Sequence, residues 1–217
     1  MKGYILGAGP QGRISAEVWR QLTPQIEPIF LDDDASLHGR RIAGIEVAGG
    51  VASLATRAAS VDAVVAIGAN RTRLKVADDC SAPSVHWATL VHPSAVVMPS
   101  AEVAEGTVVL AQALVSTGAV VGKHVLINSA AIVEHDSVVE DGASLGPGVA
   151  TGGRVHIGRA AFISTGVTIA PRLSIGAGTI VGAGAVVVED LPEGVLAYGA
   201  PARVIRELTP EDLRRVL

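Results

Sequence analysis

His135 sits between two carboxylates in Val133-Glu134-His135-Asp136-Ser137, and it is the one histidine of six so placed. An imidazole titrates near neutrality, so one oriented by a carboxylate can take the proton of an attacking amine or hydroxyl. Asp136 is the expected orienting group and Glu134 the alternative. Eighteen residues further on comes Gly153, in Thr151-Gly152-Gly153, where bare backbone can offer an N–H to a developing oxyanion. A base, its orienting carboxylate and an amide donor are the parts of an acyl-transfer site. A solvated turn histidine fits the local pattern equally well, so the chemistry depends on elements that would bring His135 and Gly153 together. His38, His86, His92, His124 and His156 lack such company and read as surface or linker residues. No third or fourth ligand lies at a metal-binding spacing from His135 and Asp136, so no metal is expected.

The positioning element is a repeat of period six. Stepping by six from Val91 gives Val97, Val103, Val109, Val115, Val121, Ile127, Val133, Val139, Leu145, Thr151, Ile157, Ile163, Ile169, Ile175, Val181 and Val187. Thr151 alone is not aliphatic. A second series four residues after each, from Ala95 to Ala185, is small or aliphatic throughout. Neither an amphipathic helix nor an ordinary strand has this period. A ribbon of very short parallel strands has it, with one large and one small side chain per hexapeptide turned into a narrow prism. Gly122, Gly146, Gly158, Gly176 and Gly182 mark its turns. By resemblance to hexapeptide transferases the coil is expected to be left-handed and triangular, with eighteen residues per turn and roughly five turns over residues 91–187. His135 then falls at a turn, with Gly153 one strand spacing away. The irregular hexapeptide at Thr151 is where a loop or a local function is expected.

Residues 1–85 read as a small Rossmann-like α/β unit, and 86–217 as the β-helix with a C-terminal tail. Strands are predicted at Gly3–Leu6, Glu27–Leu31 and Ala63–Ile67, and helices at 13–22 and 71–79. The first turn, Gly7-Ala8-Gly9-Pro10-Gln11-Gly12, matches G-x-G-x-x-G, and Asp32-Asp33-Asp34 follows about twenty residues later. The unit is half the size of a two-lobed dinucleotide fold, so a dehydrogenase is disfavoured. Its glycines still let backbone amides and a helix N-terminus approach a phosphate, although a purely structural turn has the same composition. The net charge of −4 is interspersed and gives no field for nucleic acid. Cys80 is the one cysteine, and the opening residues are too few for a signal sequence or a membrane span, so a cytoplasmic protein is expected.

Gly7–Gly12, Leu31-Asp32-Asp33, Ala66–Asn70, Val91–Ala95, Asn128–His135 and Gly199-Ala200-Pro201-Ala202 together resemble the bacterial sugar O-acyltransferase family, which includes nucleotide-linked 4-amino-sugar N-acetyltransferases and sialic acid O-acetyltransferases. The resemblance spans essentially the whole chain. It implies an acetyl-CoA-dependent N-acetyltransferase acting on a nucleotide-linked amino sugar, a 4-amino-4,6-dideoxy sugar for preference, with a sugar or sialic acid O-acetyltransferase as the alternative. By the same resemblance His135 is the base, Asp136 its partner and Gly153 the oxyanion amide. Gly9, Pro10 and Gln11 would lie near the phosphates or sugar, Asp32 and Asp33 near the base and ribose, and Gly68 would close that pocket. Acetyl-CoA would lie along the β-helix between subunits of a homotrimer, near Asn128, Ser144, Thr165 and Ala183. The chain departs from some relatives in having Ser144 where they carry a second histidine, and Gly9-Pro10-Gln11 where they often have Ser-Gly-His. A non-catalytic or metal-hydrase β-helix would need histidines clustered across coils, which this sequence lacks.

Overall fold

A computed structural model describes residues 3–56, 59–209 and 211–212. The chain opens with β1 (Gly3–Leu6), four apolar or small residues buried on both faces. It turns at Gly7 into α1 (Pro10–Leu22), which has proline in its first turn and buries Ala16, Val18 and Trp19 against the sheet. Gly12 has no room for a side chain: a Cβ there would overlap the Gly7 carbonyl, so helix and strand approach at backbone contact. Next come β2 (Pro28–Leu31), the short hairpin of β3 (Arg41–Ile42) and β4 (Ile45–Glu46), and β5 (Val61–Val65). After α2 (Asn70–Asp79), β6 (Val85–Trp87) completes a parallel sheet in the order β2-β1-β5-β6. The hairpin and β6 went unforeseen, and β6 carries the α/β unit two residues past position 85.

From Leu90 the chain winds into the left-handed β-helix. Its first face stacks the strands Leu90–Val91, Val108–Val109, Leu126–Ile127, Ser144–Leu145, Phe162–Ile163 and Ile180–Val181. Its second stacks Val96–Val97, Leu114–Val115, Ile132–Val133, Ala150–Thr151, Thr168–Ile169 and Val186–Val187. The third runs from Glu102–Val103 to Ser174–Ile175, and Leu191 extends it by bridging to Ile175. Up to Val187 every pairing joins residue i to i+18, for example Leu126 to Ser144 and Val138 to His156. There are about six turns, one more than the repeat count suggested, because Leu191 and the strand Val195–Gly199 carry the winding beyond Val187. The prism interior is the predicted double series: Val115, Val121, Ile127, Ile157 and Ile163 alternate with Ala113, Ala119, Ala131 and Ala161, all at most 1% exposed. An antiparallel strand, Ala202–Glu207, ends the winding.

The two units pack against each other. Leu90, Val108 and Leu126, facing outward on the first face, join one apolar cluster with Ile5, Trp19, Phe30 and Val47 of the α/β unit. Beside this contact Arg73 of α2 is fully buried. Its Nε donates to the His124 carbonyl at 2.8 Å, Nη1 to those of Ile67 and Gly68, and Nη2 to the Gly142 carbonyl, Asn70 Oδ1 and Ser144 Oγ. Asn70 Nδ2 donates to the carbonyls of Ala160 and Ala161. Burial pulls the Arg73 guanidinium down to about 9. Among the described residues no helix is long and apolar enough to cross a membrane.

Candidate active site

The second and third faces meet along an edge that carries Glu134–Ser137 in one coil and Gly152–Val155 in the next. The His135 carbonyl accepts the Arg154 N–H at 2.8 Å, which locks the two turns at one coil spacing. The His135 ring lies over Gly153: a Cβ on that glycine would be within 2.8 Å of Nε2, Cε1 and Cδ2. Gly153 is thus required by the closeness of the imidazole rather than by its backbone angle. Among the described residues its N–H has no acceptor.

His135 Nδ1 is 3.0 Å from Asp136 Oδ2, so Asp136 orients the ring and leaves Nε2 free on the Gly153 side. Glu134, the alternative, instead turns its carboxylate onto the His135 backbone N–H. Asp136 stands in the left-handed region at φ 55°, and its N–H donates to the Thr117 carbonyl at 3.0 Å. Its carboxyl is held below the usual carboxylate range first by the His135 hydrogen bond and then by Arg154, whose Nε lies 3.4 Å from Oδ2. Arg154 was not anticipated, although the same eighteen-residue step from Asp136 lands on it.

A second group of expected residues meets elsewhere. Gln11, Gly68, Asn128, Ser144 and Thr165 line one cavity of about 340 Å³, floored by Leu126, Leu145, Pro147 and Phe162. It lies where the α/β unit overhangs the edge between the first and second faces. Gly9 caps α1 and Pro10 begins it, both exposed, and α1 has no acidic residue in its first turn. Ala183 is exposed one coil beyond Thr165 on the same edge and outside the cavity.

The structure adds to the reading at five places. Ser144 is 5% exposed, with its hydroxyl donating to Asn70 Oδ1 at 2.6 Å and accepting from Arg73, so it fastens the two units at the cavity wall. Asp32 accepts the Ala8 N–H on Oδ2 at 2.8 Å and the Asp34 N–H on Oδ1 at 2.9 Å, and Asp33 Oδ1 accepts the Val51 N–H at 2.9 Å, so each braces a loop of the α/β unit. His124 is no surface residue. It is 5% exposed and edge-on to Trp87, and burial first, with the Arg73 charge second, holds it below the usual histidine range. His156 has company after all, lying 2.8 Å from Glu140 Oε1. No loop interrupts the coil at Thr151.

A parallel β-helix joined to a small α/β unit, with a histidine stacked on a glycine of the next coil, defines a hexapeptide-repeat acyltransferase. Comparison with known proteins narrows the class. Residues 2–80 match the PglD N-terminal domain family. PerB from Caulobacter crescentus, solved with CoA and GDP-perosamine, is 34% identical over 95% of this chain and 98% of its own, with a TM-score of 0.87. The acetyltransferase domain of PglB from Neisseria gonorrhoeae, solved with acetyl coenzyme A, is 35% identical over 94% and 98%, with a TM-score of 0.89. WeeI from Acinetobacter baumannii is 25% identical over 94% and 100%, with a TM-score of 0.75. Comparison with curated protein sequences gave no match. The chain belongs to the bacterial hexapeptide-repeat sugar acetyltransferases.

Proposed function

We propose that this protein transfers the acetyl group of acetyl-CoA to the amino group of a nucleotide-linked amino sugar. The observation that carries the reading is the stack of His135, oriented by Asp136, over Gly153, whose N–H has no acceptor among the described residues. With Asp136 ionised, Nδ1 carries the proton and the Nε2 lone pair faces the Gly153 side. As the sugar nitrogen bonds to the acetyl carbon, Nε2 takes the proton that nitrogen loses. The Gly153 N–H donates to the thioester oxygen as charge gathers there, and the carbon–sulfur bond then breaks to release the CoA thiolate. The relatives point to nitrogen as the acceptor atom, one being described as perosamine N-acetyltransferase. We assign the meeting place of sugar and acyl donor to the cavity beside Gln11 and Gly68, where the α/β unit overhangs the coil.

The site is completed between subunits. The two edges carrying His135 and the cavity flank the second face, whose outward row is Val96, Leu114, Ile132, Ala150, Thr168 and Val186. Val96 is 52% exposed and Val186 37%. A three-fold ring that buries this row on its axis sets the His135 edge of one copy against the cavity edge of the next. We therefore read the protein as a homotrimer, and separately propose a cytoplasmic role in polysaccharide biosynthesis.

The test is a screen of UDP-, GDP- and dTDP-linked amino sugars with acetyl-CoA, following free thiol. On the sugar that turns over, His135→Ala is expected to lower kcat roughly 10²- to 10⁴-fold with acetyl-CoA binding nearly intact. Unaltered turnover of that variant across pH 6 to 9 removes His135 from the mechanism.

A further inference from the structure

Thr151 is the polar exception in the inward aliphatic series, and it is buried. Its strand, Ala150–Thr151, pairs with Ile132–Val133 through Ile132 and Ala150 alone. The ladders on either side keep both residues in register, Leu114–Val115 with Ile132–Val133 and Ala150–Thr151 with Thr168–Ile169. The cause is one hydrogen bond. On this face the residue just after each strand donates its N–H to a carbonyl one coil on, as Ser116 does to Val133 at 2.9 Å and Gly152 to Ile169 at 2.7 Å. The Glu134 N–H goes instead to the side-chain Oγ1 of Thr151, at 2.9 Å. The ladder thus breaks one residue before His135. At the far end of the same turn a second hydroxyl acts: Ser137 Oγ accepts the Val155 N–H at 3.1 Å, and the turn stays closed on the coil of Gly153.

We propose that Thr151 is a positioning residue for His135. Its hydroxyl draws the start of the turn off the regular ladder and so sets where the imidazole stands over Gly153. The inference rests on reading His135 as the base. An aliphatic residue at this position fits the prism as its sixteen counterparts do, and the Glu134 N–H then returns to the main-chain carbonyl or goes unbonded. In either case the backbone that carries the ring shifts while the coil persists. Displacement of a catalytic group by a fraction of an ångström costs turnover without costing substrate affinity.

Thr151→Val and Thr151→Ser test this beside His135→Ala, with steady-state kinetics and thermal melting. The expected result for Thr151→Val is a kcat lowered about tenfold to a hundredfold, KM for both substrates within about twofold of the parent, and an undiminished melting temperature. Thr151→Ser, which keeps the hydroxyl, recovers most of the lost turnover. Thr151→Ala serves in the same way if the valine variant does not fold. Parental kcat in Thr151→Val or Thr151→Ala, or a serine variant no better than the valine one, overturns the role of Thr151 while His135→Ala is inactive. Full activity in His135→Ala overturns the underlying reading instead, so the two failures are distinguishable.

Discussion

At the scale of single residues, the proposed site is a chain of three groups, Arg154 to Asp136 to His135, set over a glycine. The order of causes acting on Asp136 is testable. Its carboxyl is lowered most by the His135 hydrogen bond and less by Arg154. A lowered pKa in the folded state means that the bond contributes order above the ordinary carboxylate range and loses it as pH falls through the lowered value. The His135–Asp136 pair therefore persists at neutral and mildly acidic pH. Carboxyl carbon NMR is expected to show the Asp136 midpoint rising in Arg154→Ala and rising further in His135→Ala. The reverse order contradicts the geometry. Asp136 and Arg154 are one coil apart in sequence, so this relation was open to the same arithmetic that paired His135 with Gly153.

At the scale of elements, α2 holds the two units together through a cation that has no carboxylate partner among the described residues. The acceptors of Arg73 are main-chain carbonyls, the Asn70 amide oxygen and the Ser144 hydroxyl. Replacement by methionine removes the charge but strands those acceptors in a buried contact. An unsatisfied buried polar group costs about 1–3 kcal/mol, so Arg73→Met is expected to lose about 3 kcal/mol in urea unfolding, the relief of charge burial offsetting only part of the loss. A variant as stable as the parent would mean that the apolar cluster of Trp19, Phe30, Val108 and Leu126 suffices for docking. Because Nη1 also holds the Ile67 and Gly68 carbonyls, the same change loosens the loop over the cavity.

For the whole molecule, the proposed trimer would make assembly a condition of activity, because His135 and the cavity lie on opposite edges of the second face. Ile132→Glu puts a charge in the middle of the apolar row, and light scattering at micromolar concentration is expected to show loss of the trimer together with activity. A monomeric parent enzyme would refute the arrangement outright. Complementation is the more searching measurement. Gly68 has open space around it, so Gly68→Trp can obstruct the cavity without disturbing the fold. Co-expressed with His135→Ala, it is expected to recover turnover that neither variant has alone, because some sites then pair an intact histidine with an intact cavity. No recovery would place the whole reaction within one chain.

The period of six determined the β-helix, the inward residues and the pairing of His135 with Gly153, since stacking maps residue i onto i+18 and that relation is linear in sequence. Thr151 was visible as an exception for the same reason, although its bond to Glu134 was not. The glycine turn and α1 were legible from local chemistry. Only the tertiary structure showed how the α/β unit lies on the coil. That contact joins Asn70 to Ala160 and Arg73 to Gly142, ninety and sixty-nine residues apart, through side-chain geometry that leaves no periodic trace. It buried His124, engaged Ser144 and placed the cavity on one edge of the prism with His135 on another. Neighbouring positions in the repeat look alike in sequence, and what they face depends on which side of the prism the first domain covers.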